Sequence, residues 1–171
     1  MVKPLKIRSA GSQLICTATI LATLLLTMAY AQSNPPKEAA LTQHATGSFD
    51  VKMTPQDDKL GDGISRMVLQ KQYHGDLEGT AKGQMLAAGS AKSSGVYVAI
   101  ETFTGTVQGK TGTFALHHTG IMSKGSPSLA ISVVPGSGTG DLVGISGNMK
   151  INIAPDGKHS YDLEYALPPT P

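Results

Sequence analysis

The sequence predicts an all-β protein, a single eight-stranded antiparallel up-and-down barrel that follows a cleaved signal peptide. Three observations favour this fold class. The 171 residues include 20 Gly and 10 Pro but no Trp, a composition that argues against a helical bundle. Apolar and polar residues alternate with period two along the chain. The segments that alternate in this way number eight, and their Gly-rich connections are too short for crossover helices.

Closure of the sheet is preferred over a sandwich, which is the alternative architecture. Eight antiparallel strands with short connections can close on themselves, and closure removes the exposed edges of an open sheet. Glycines within the predicted strands, such as Gly79, Gly83 and Gly105, weaken a flat sheet but permit the strong coiling of a small barrel.

The first 31 residues have the pattern of a secretory signal peptide. Three basic residues lie within the first eight positions, and residues 14–28 carry no charge. The tripeptide Ala29-Tyr30-Ala31 places small residues before a cleavage site, so the mature chain is expected to begin at Gln32. The apolar run is short for a bilayer span, so we expect no membrane anchor after cleavage. The sequence thus predicts export to the periplasm or the medium.

The mature chain is close to neutral. The predicted leader contains three of the 14 basic residues, none of the 12 acidic ones and the only cysteine, Cys16. A chain with this balance has no electrostatic reason to bind nucleic acid or an anionic membrane, and without cysteine it has neither disulfides nor thiolate metal sites.

The mature chain divides into a lead-in, one domain and a short tail. Residues 32–42 lack periodicity and are predicted to be a flexible lead-in. The barrel domain covers residues 43–168, and residues 169–171 form the tail. Turn-forming residues at 55–63 separate the first strand, with Phe49 and Val51 on one face, from the second. The predicted strands after the first cover residues 64–73, 77–86, 96–106, 111–122, 129–135, 142–153 and 159–167.

Successive motifs along this domain resemble those of a small bacterial family that is classed as a domain of unknown function. They include HGDLEGT at 74–80, GVYVAIE at 95–101 and GTGDLVGISG at 138–147. Members of that family are taken to share a barrel similar to that of plant allene oxide cyclase, so the resemblance implies the same eight-stranded fold. Cyclase activity does not follow from barrel shape. An aspartic-peptidase-like activity suggested within the family is kept as an alternative.

One histidine and one glutamate are candidates for the barrel interior. His117 and His118 are adjacent and cannot face one site, because successive side chains of a strand point to opposite faces. His118 shares its face with Phe114 and is expected to point inward, as a hydrogen-bonded core residue or as a ligand or proton-transfer group. Glu101 lies in a segment whose two faces are both apolar. It is either inside the barrel, where it suits acid–base chemistry, or on an outer face that meets another subunit.

Further candidates are two carboxylates and two tyrosines. Asp76 and Glu78 are expected on the solvent-facing side of their strand, and the family resemblance gives them a catalytic role as the alternative. Tyr97 shares the face of Glu101, and Tyr161 lies in a row that lines the barrel, where core packing is the alternative to ligand contact. The Gly-rich run at 136–141 precedes a predicted strand and so cannot be a phosphate loop.

These residues predict a protein that binds a small apolar molecule in the barrel interior. The expected ligand contacts are Tyr97, Glu101, His118 and Tyr161. One alternative is an acid hydrolase of the aspartic-peptidase type, with Glu101, His118, Asp76 and Glu78 as candidate catalytic residues. The second alternative is a non-catalytic homo-oligomer formed through the outer face of 96–106. The sequence predicts no cofactor and no metal site, and whether the protein is an enzyme stays open.

Overall fold

The computed structural model describes residues 41–57, 63–89, 94–123 and 126–169. The predicted signal peptide, and the predicted lead-in except its last two residues, lie outside this part of the chain. The described chain forms a closed barrel of eight antiparallel strands in sequence order, which confirms the predicted fold class. The strands are β1 (Gln43–Gln56), β2 (Ile64–Gly75), β3 (Leu77–Gly89), β4 (Ser94–Val107), β5 (Lys110–Ser123), β6 (Ser126–Val133), β7 (Ser146–Ile153) and β8 (His159–Ala166).

The barrel closes where β8 pairs with the first half of β1. Gln43 is opposite Tyr165, and Phe49 is opposite His159. Because paired residues of an antiparallel ladder point to the same face, the apolar positions of every strand converge on one interior. The fully buried side chains include Tyr73, Leu77, Phe103, Phe114, Leu116, Leu163 and Tyr165.

The two ends of the barrel differ. One end, called the closed end here, carries the tight connections at 75–77 and 107–110 and the segment 134–145. The other, called the loop end, is where β1, β3, β5 and β7 end and where β2, β4, β6 and β8 begin. At the closed end Gln108 adopts a positive φ of 48° next to Gly109. Its side chain receives a hydrogen bond from the Tyr165 hydroxyl at 2.8 Å and donates one to the His44 carbonyl at 2.9 Å, and these bonds fix the turn.

The predicted strand at 142–153 begins later than the sequence indicated. Residues Gly140–Leu142 form a short 3-10 helix, and β7 starts only at Ser146. The backbone N–H of Thr139 donates to the carbonyl of Thr113 at 2.9 Å, which holds this segment across β5. Leu142 and Ile145 are buried in the core. Their apolar side chains cover the closed end instead of continuing a strand, and periodicity cannot tell these two roles apart.

One seam of the barrel wall is weakly paired. The register of β6 and β7 contains a single pair, Ser132 opposite Asn148, whereas β7 and β8 are paired from Ser146 to Ile153. The Ser132 hydroxyl donates to the Asn148 side-chain oxygen at 2.7 Å. The wall is therefore held least firmly where β6 and β7 run toward the loop end.

Within the part of the chain that the structure describes, no helix is long and apolar enough to cross a membrane.

Candidate functional site

Three polar side chains are buried together near the middle of the barrel. Lys71 of β2, Glu101 of β4 and His118 of β5 are 8%, 1% and 5% exposed. They point inward because they share a strand face with core residues: Lys71 is two positions from Tyr73, and Glu101 is two positions from Phe103. The ladder places His118 opposite Ala99, two residues from Glu101, so their side chains meet diagonally. We call these three residues, with Tyr73, the interior cluster.

The carboxylate of Glu101 is the centre of this cluster. Its Oε1 accepts hydrogen bonds from Lys71 Nζ at 2.9 Å and from the Tyr73 hydroxyl at 3.1 Å. His118 Nε2 lies 3.4 Å from the same oxygen, a charge contact outside the geometry of an aligned hydrogen bond. The ammonium of Lys71 is also 4.8 Å from the centre of the Phe49 ring, a cation–π distance. One oxygen therefore faces three donor groups.

The electrostatics keep the carboxylate ionised. Burial alone would raise the pKa of Glu101, but the contacts and charges of His118 and Lys71 outweigh burial and hold that pKa below its ordinary value. Burial, reinforced by the charge of Glu101, raises the pKa of the Tyr73 hydroxyl far above its ordinary value. The same two causes raise the pKa of Tyr97. Both tyrosines are therefore neutral donors beside an anionic carboxylate at physiological pH.

Two polar atoms of the cluster have no hydrogen-bond partner among the described residues. Glu101 Oε2 and His118 Nε2 are both buried and make no hydrogen bond. A buried polar atom left unsatisfied costs about 1–3 kcal/mol, and more when it is charged. Because native structures rarely leave two such atoms side by side, this pair marks a place for a further polar group.

Partly exposed apolar side chains occupy the inward-facing positions between the interior cluster and the loop end. The inward-facing positions beyond Glu101 carry methionines on four different strands, a tyrosine, and two aliphatic residues, all partly exposed. Leu129 and Ile153 remain 44% and 63% exposed although they lie on the inward register. Flexible, polarizable methionines adapt to ligands of irregular shape. We call these residues the mouth: Met53, Met67, Met85, Tyr97, Met122, Leu129 and Ile153.

A notch in the wall lies beside the mouth. β8 pairs with β1 only as far as Phe49, so the rest of β1 runs on past the end of β8. The resulting pocket has a volume of ≈ 410 Å³ and is lined by residues of β1 and of the connection between β7 and β8, including Asp156 and Lys158. The ring of His159 packs on that of Phe49 at 4.9 Å. Phe49 lines this notch and also contacts Lys71, so the notch lies on the Lys71 side of the cluster.

The structure places the predicted ligand contacts at two different depths. Tyr97, Glu101 and His118 lie together, in the mouth and the interior cluster. Tyr161 is buried toward the closed end, where its hydroxyl accepts a hydrogen bond from the Leu77 N–H at 2.7 Å and donates to the His74 carbonyl at 3.2 Å. These backbone bonds occupy the Tyr161 hydroxyl. The residue therefore anchors the connection between β2 and β3, as the packing alternative expected.

The structure does not bring the predicted catalytic carboxylates together. Asp76 accepts a hydrogen bond from the Thr46 N–H at 2.8 Å and fixes the connection between β2 and β3. Glu78 is exposed on the outer face, 3.7 Å from His74 Nδ1, whereas Glu101 is inside the barrel. An acid protease needs two carboxylates that share a proton, and these three residues form no such pair.

Sequence reasoning missed Lys71 and the methionines. Lys71 has the same parity as the apolar Leu69 and Tyr73, and this signal in the sequence places a lysine inside the barrel. The four methionines of the mouth come from four strands, so only the register shows that they are neighbours. Among residues 41–57, 63–89, 94–123 and 126–169, no group of three His, Cys, Asp or Glu side chains could hold a metal ion.

These features define a small, closed β-barrel with an ionic cluster in its interior and an apolar mouth at one end. Residues 45–165 match the family described as "Protein of unknown function (DUF3224)", and the chain belongs to that family. The crystal structure of a DUF3224 protein of unknown function from Shewanella oneidensis MR-1 is similar, with a TM-score of 0.70 and 41% sequence identity over 76% of this chain and 100% of that chain. No curated protein matches the chain.

Proposed function

We propose that this barrel binds one small, largely apolar molecule through the mouth, with a polar group of the ligand at the interior cluster. The observation that carries the proposal is the pair of buried, unpartnered atoms, Glu101 Oε2 and His118 Nε2, beneath a mouth of partly exposed apolar side chains. Apolar lining with a few convergent polar groups is typical of small-molecule sites. The weakly paired seam between β6 and β7 is a place where the wall can yield as a ligand enters.

Binding is tested by filling the mouth. Ala87 of β3 lies on the inward register opposite Tyr97, and its neighbour Ala88 points outward. The neutral apolar dye Nile red should become more fluorescent with the parent protein and with Ala88→Trp, whereas Ala87→Trp should lose most of this response because the indole occupies the mouth. Equal dye binding by the two tryptophan variants would show that the dye does not enter the barrel and would contradict the proposal.

A second candidate function, self-association, rests on the outer wall. Six large apolar side chains on β2 to β5 form an outer apolar patch in which each is 42–62% exposed. Together they present roughly 500 Å² of apolar surface, which is at the upper end for a monomer. This is more than half of the about 800 Å² that each partner contributes to a standard interface. The residues of the patch are Ile64, Leu86, Val96, Val98, Ile100 and Ile121.

The partner that we propose for this patch is a second copy of the chain. A two-fold interface brings the same surface of both subunits together, so one apolar patch can pack on its copy. A charged side chain, Arg66, lies beside the patch opposite Leu86 and donates to the Gln84 side chain at 3.0 Å. Light scattering should give a mass above that of the monomer, and Ile100→Lys should shift the protein to the monomer. Thr102→Lys, on the same face of β4, is the control beside the patch. A monomeric parent would contradict self-association.

We also propose that the chain is exported, on the sequence pattern of residues 1–31. The family match begins at residue 45 and β1 begins at Gln43, so neither includes the proposed leader. Intact-mass measurement of the protein from the producing cells should give a chain that begins at Gln32. A product that retains Cys16 would contradict the proposed cleavage.

A further inference from the structure

The two unpartnered atoms of the interior cluster have complementary hydrogen-bonding roles. Glu101 Oε2 belongs to an ionised carboxylate and can only accept. His118 Nε2 lies 3.4 Å from Glu101 Oε1, and two acceptors that close would repel, so the geometry assigns a hydrogen to Nε2. The cluster therefore lacks a donor for Oε2, and Nε2, whose nearest acceptor is Oε1 at 3.4 Å, lacks an aligned acceptor.

The other polar groups of the cluster cannot fill either role. Lys71 Nζ and the Tyr73 hydroxyl already donate to Oε1, at 2.9 and 3.1 Å. Tyr73 is held in place on its other side by Phe49 and Tyr161, whose rings lie 5.2 and 5.4 Å away. Neither group reaches Oε2 in this geometry, because Oε2 makes no hydrogen bond among the described residues. The missing donor and acceptor must therefore come from outside the chain, from a buried water in the free protein or from a polar group of a ligand that displaces it.

We propose that the polar group of the ligand is an uncharged hydroxyl, which donates to Glu101 Oε2 and accepts from His118 Nε2. This inference rests on the proposed binding function and specifies the chemical class of the ligand, an aliphatic alcohol. One hydroxyl supplies one donor and two acceptor lone pairs, so it meets both unfilled roles at once.

Charged head groups fit the cluster less well. When His118 is neutral, Lys71 and Glu101 leave the cluster without net charge, so the site has no excess of either sign to offer. A ligand carboxylate would place a second negative charge beside Glu101 and would leave Oε2 without a donor. A ligand ammonium could donate to Oε2, but it would stand next to the Lys71 ammonium and has no lone pair for Nε2. Buried charges of this kind are unfavourable without a partner of opposite sign.

The test compares three ligands with the same alkyl chain on the parent protein. Decanol, decanoate and decylamine should each be measured by displacement of Nile red and by calorimetry at neutral pH. Decanol should bind at least about tenfold more tightly than either charged analogue, because one unsatisfied polar group or unpaired charge costs about 1.4 kcal/mol or more. Equal affinities, or tighter binding of decanoate, would overturn the inference while leaving the binding function intact.

A spectroscopic measurement locates the head group. Nitrogen NMR of the imidazole rings should show a shift of the His118 Nε2 signal when decanol binds, with His118→Gln used to assign it. His117, on the outer face of the same strand, is the matched control and should not respond. Binding of decanol without any response of His118 would overturn the assignment of the hydroxyl. If Nile red and all three decyl compounds fail to bind, the proposed binding function itself fails.

Discussion

The interior ion pair leads to a prediction about stability that is worked from the structure. Lys71 Nζ and Glu101 Oε1 are 2.9 Å apart, and the two side chains are 6% and 0% exposed. At an effective dielectric constant of 20, unit charges at this distance attract by about 6 kcal/mol, most of which offsets the removal of both charges from water. The net contribution of the intact pair is therefore small. Removing one partner of the pair destabilises the protein strongly, because one buried charge then stays uncompensated.

Glu101→Gln should accordingly destabilise the protein by about 3–5 kcal/mol although it preserves the shape of the side chain. Lys71→Met should have a similar effect, since it leaves the carboxylate without its ammonium. Removing both charges should be much less harmful than the sum of the single changes, because the double variant leaves no unpaired charge. Glu164→Gln, on the exposed outer face of β8, should change the free energy of unfolding by no more than about 0.5 kcal/mol.

The assay is urea unfolding of the four variants and the parent, followed by far-ultraviolet circular dichroism. The double-mutant cycle gives the coupling between Lys71 and Glu101, which should be about 3 kcal/mol. If the losses of the two single variants simply add in the double variant, the two charges do not depend on each other, and the argument for a buried pair is wrong.

Three further predictions follow from single residues. The free energy of unfolding should fall as the pH drops below 4.5, the ordinary pKa of a glutamate, because the lowered pKa of Glu101 lets the unfolded chain take up this proton first; an identical pH profile for Glu101→Gln would contradict this. Tyr161→Phe should cost about 1–3 kcal/mol in urea unfolding, since the buried Leu77 N–H loses its acceptor; no loss would refute the anchoring role. Gly83→Ala should destabilise the barrel, because a Cβ there would clash with the Ile100 carbonyl oxygen; unchanged thermal unfolding would show that the ladder yields.

Two residues of the interior cluster, Glu101 and His118, were candidates from the sequence, whereas Lys71 and Tyr73 were not. Parity along a single strand placed His118 inside the barrel, because side chains alternate strictly between the two faces, but it left Glu101 open, because both faces of its strand are apolar. The same rule applied to β2 would have placed Lys71 inside as well, next to Tyr73. The rule does not say which inward side chains meet, since that depends on the register between strands.

Other features followed from contacts that no local pattern contains. The segment before β7 has the composition of a strand, but Leu142 covers the closed end of the barrel. Asp76 looked like a catalytic candidate, whereas the structure uses its carboxylate to receive the Thr46 N–H. Tyr161 looked equally suited to ligand contact and to packing, and the backbone groups that face its hydroxyl decided between the two.

The sequence by itself determined the eight-stranded barrel and which side chains share a face of each strand, because period-two alternation and short Gly-rich connections are local properties of the chain. Only the tertiary structure decided that Lys71, Glu101 and His118 meet, that two of their polar atoms have no partner among the described residues, and that methionines from four strands form one mouth. These properties depend on strand register and barrel closure, which bring together residues up to about a hundred positions apart in the chain, such as Met53 and Ile153.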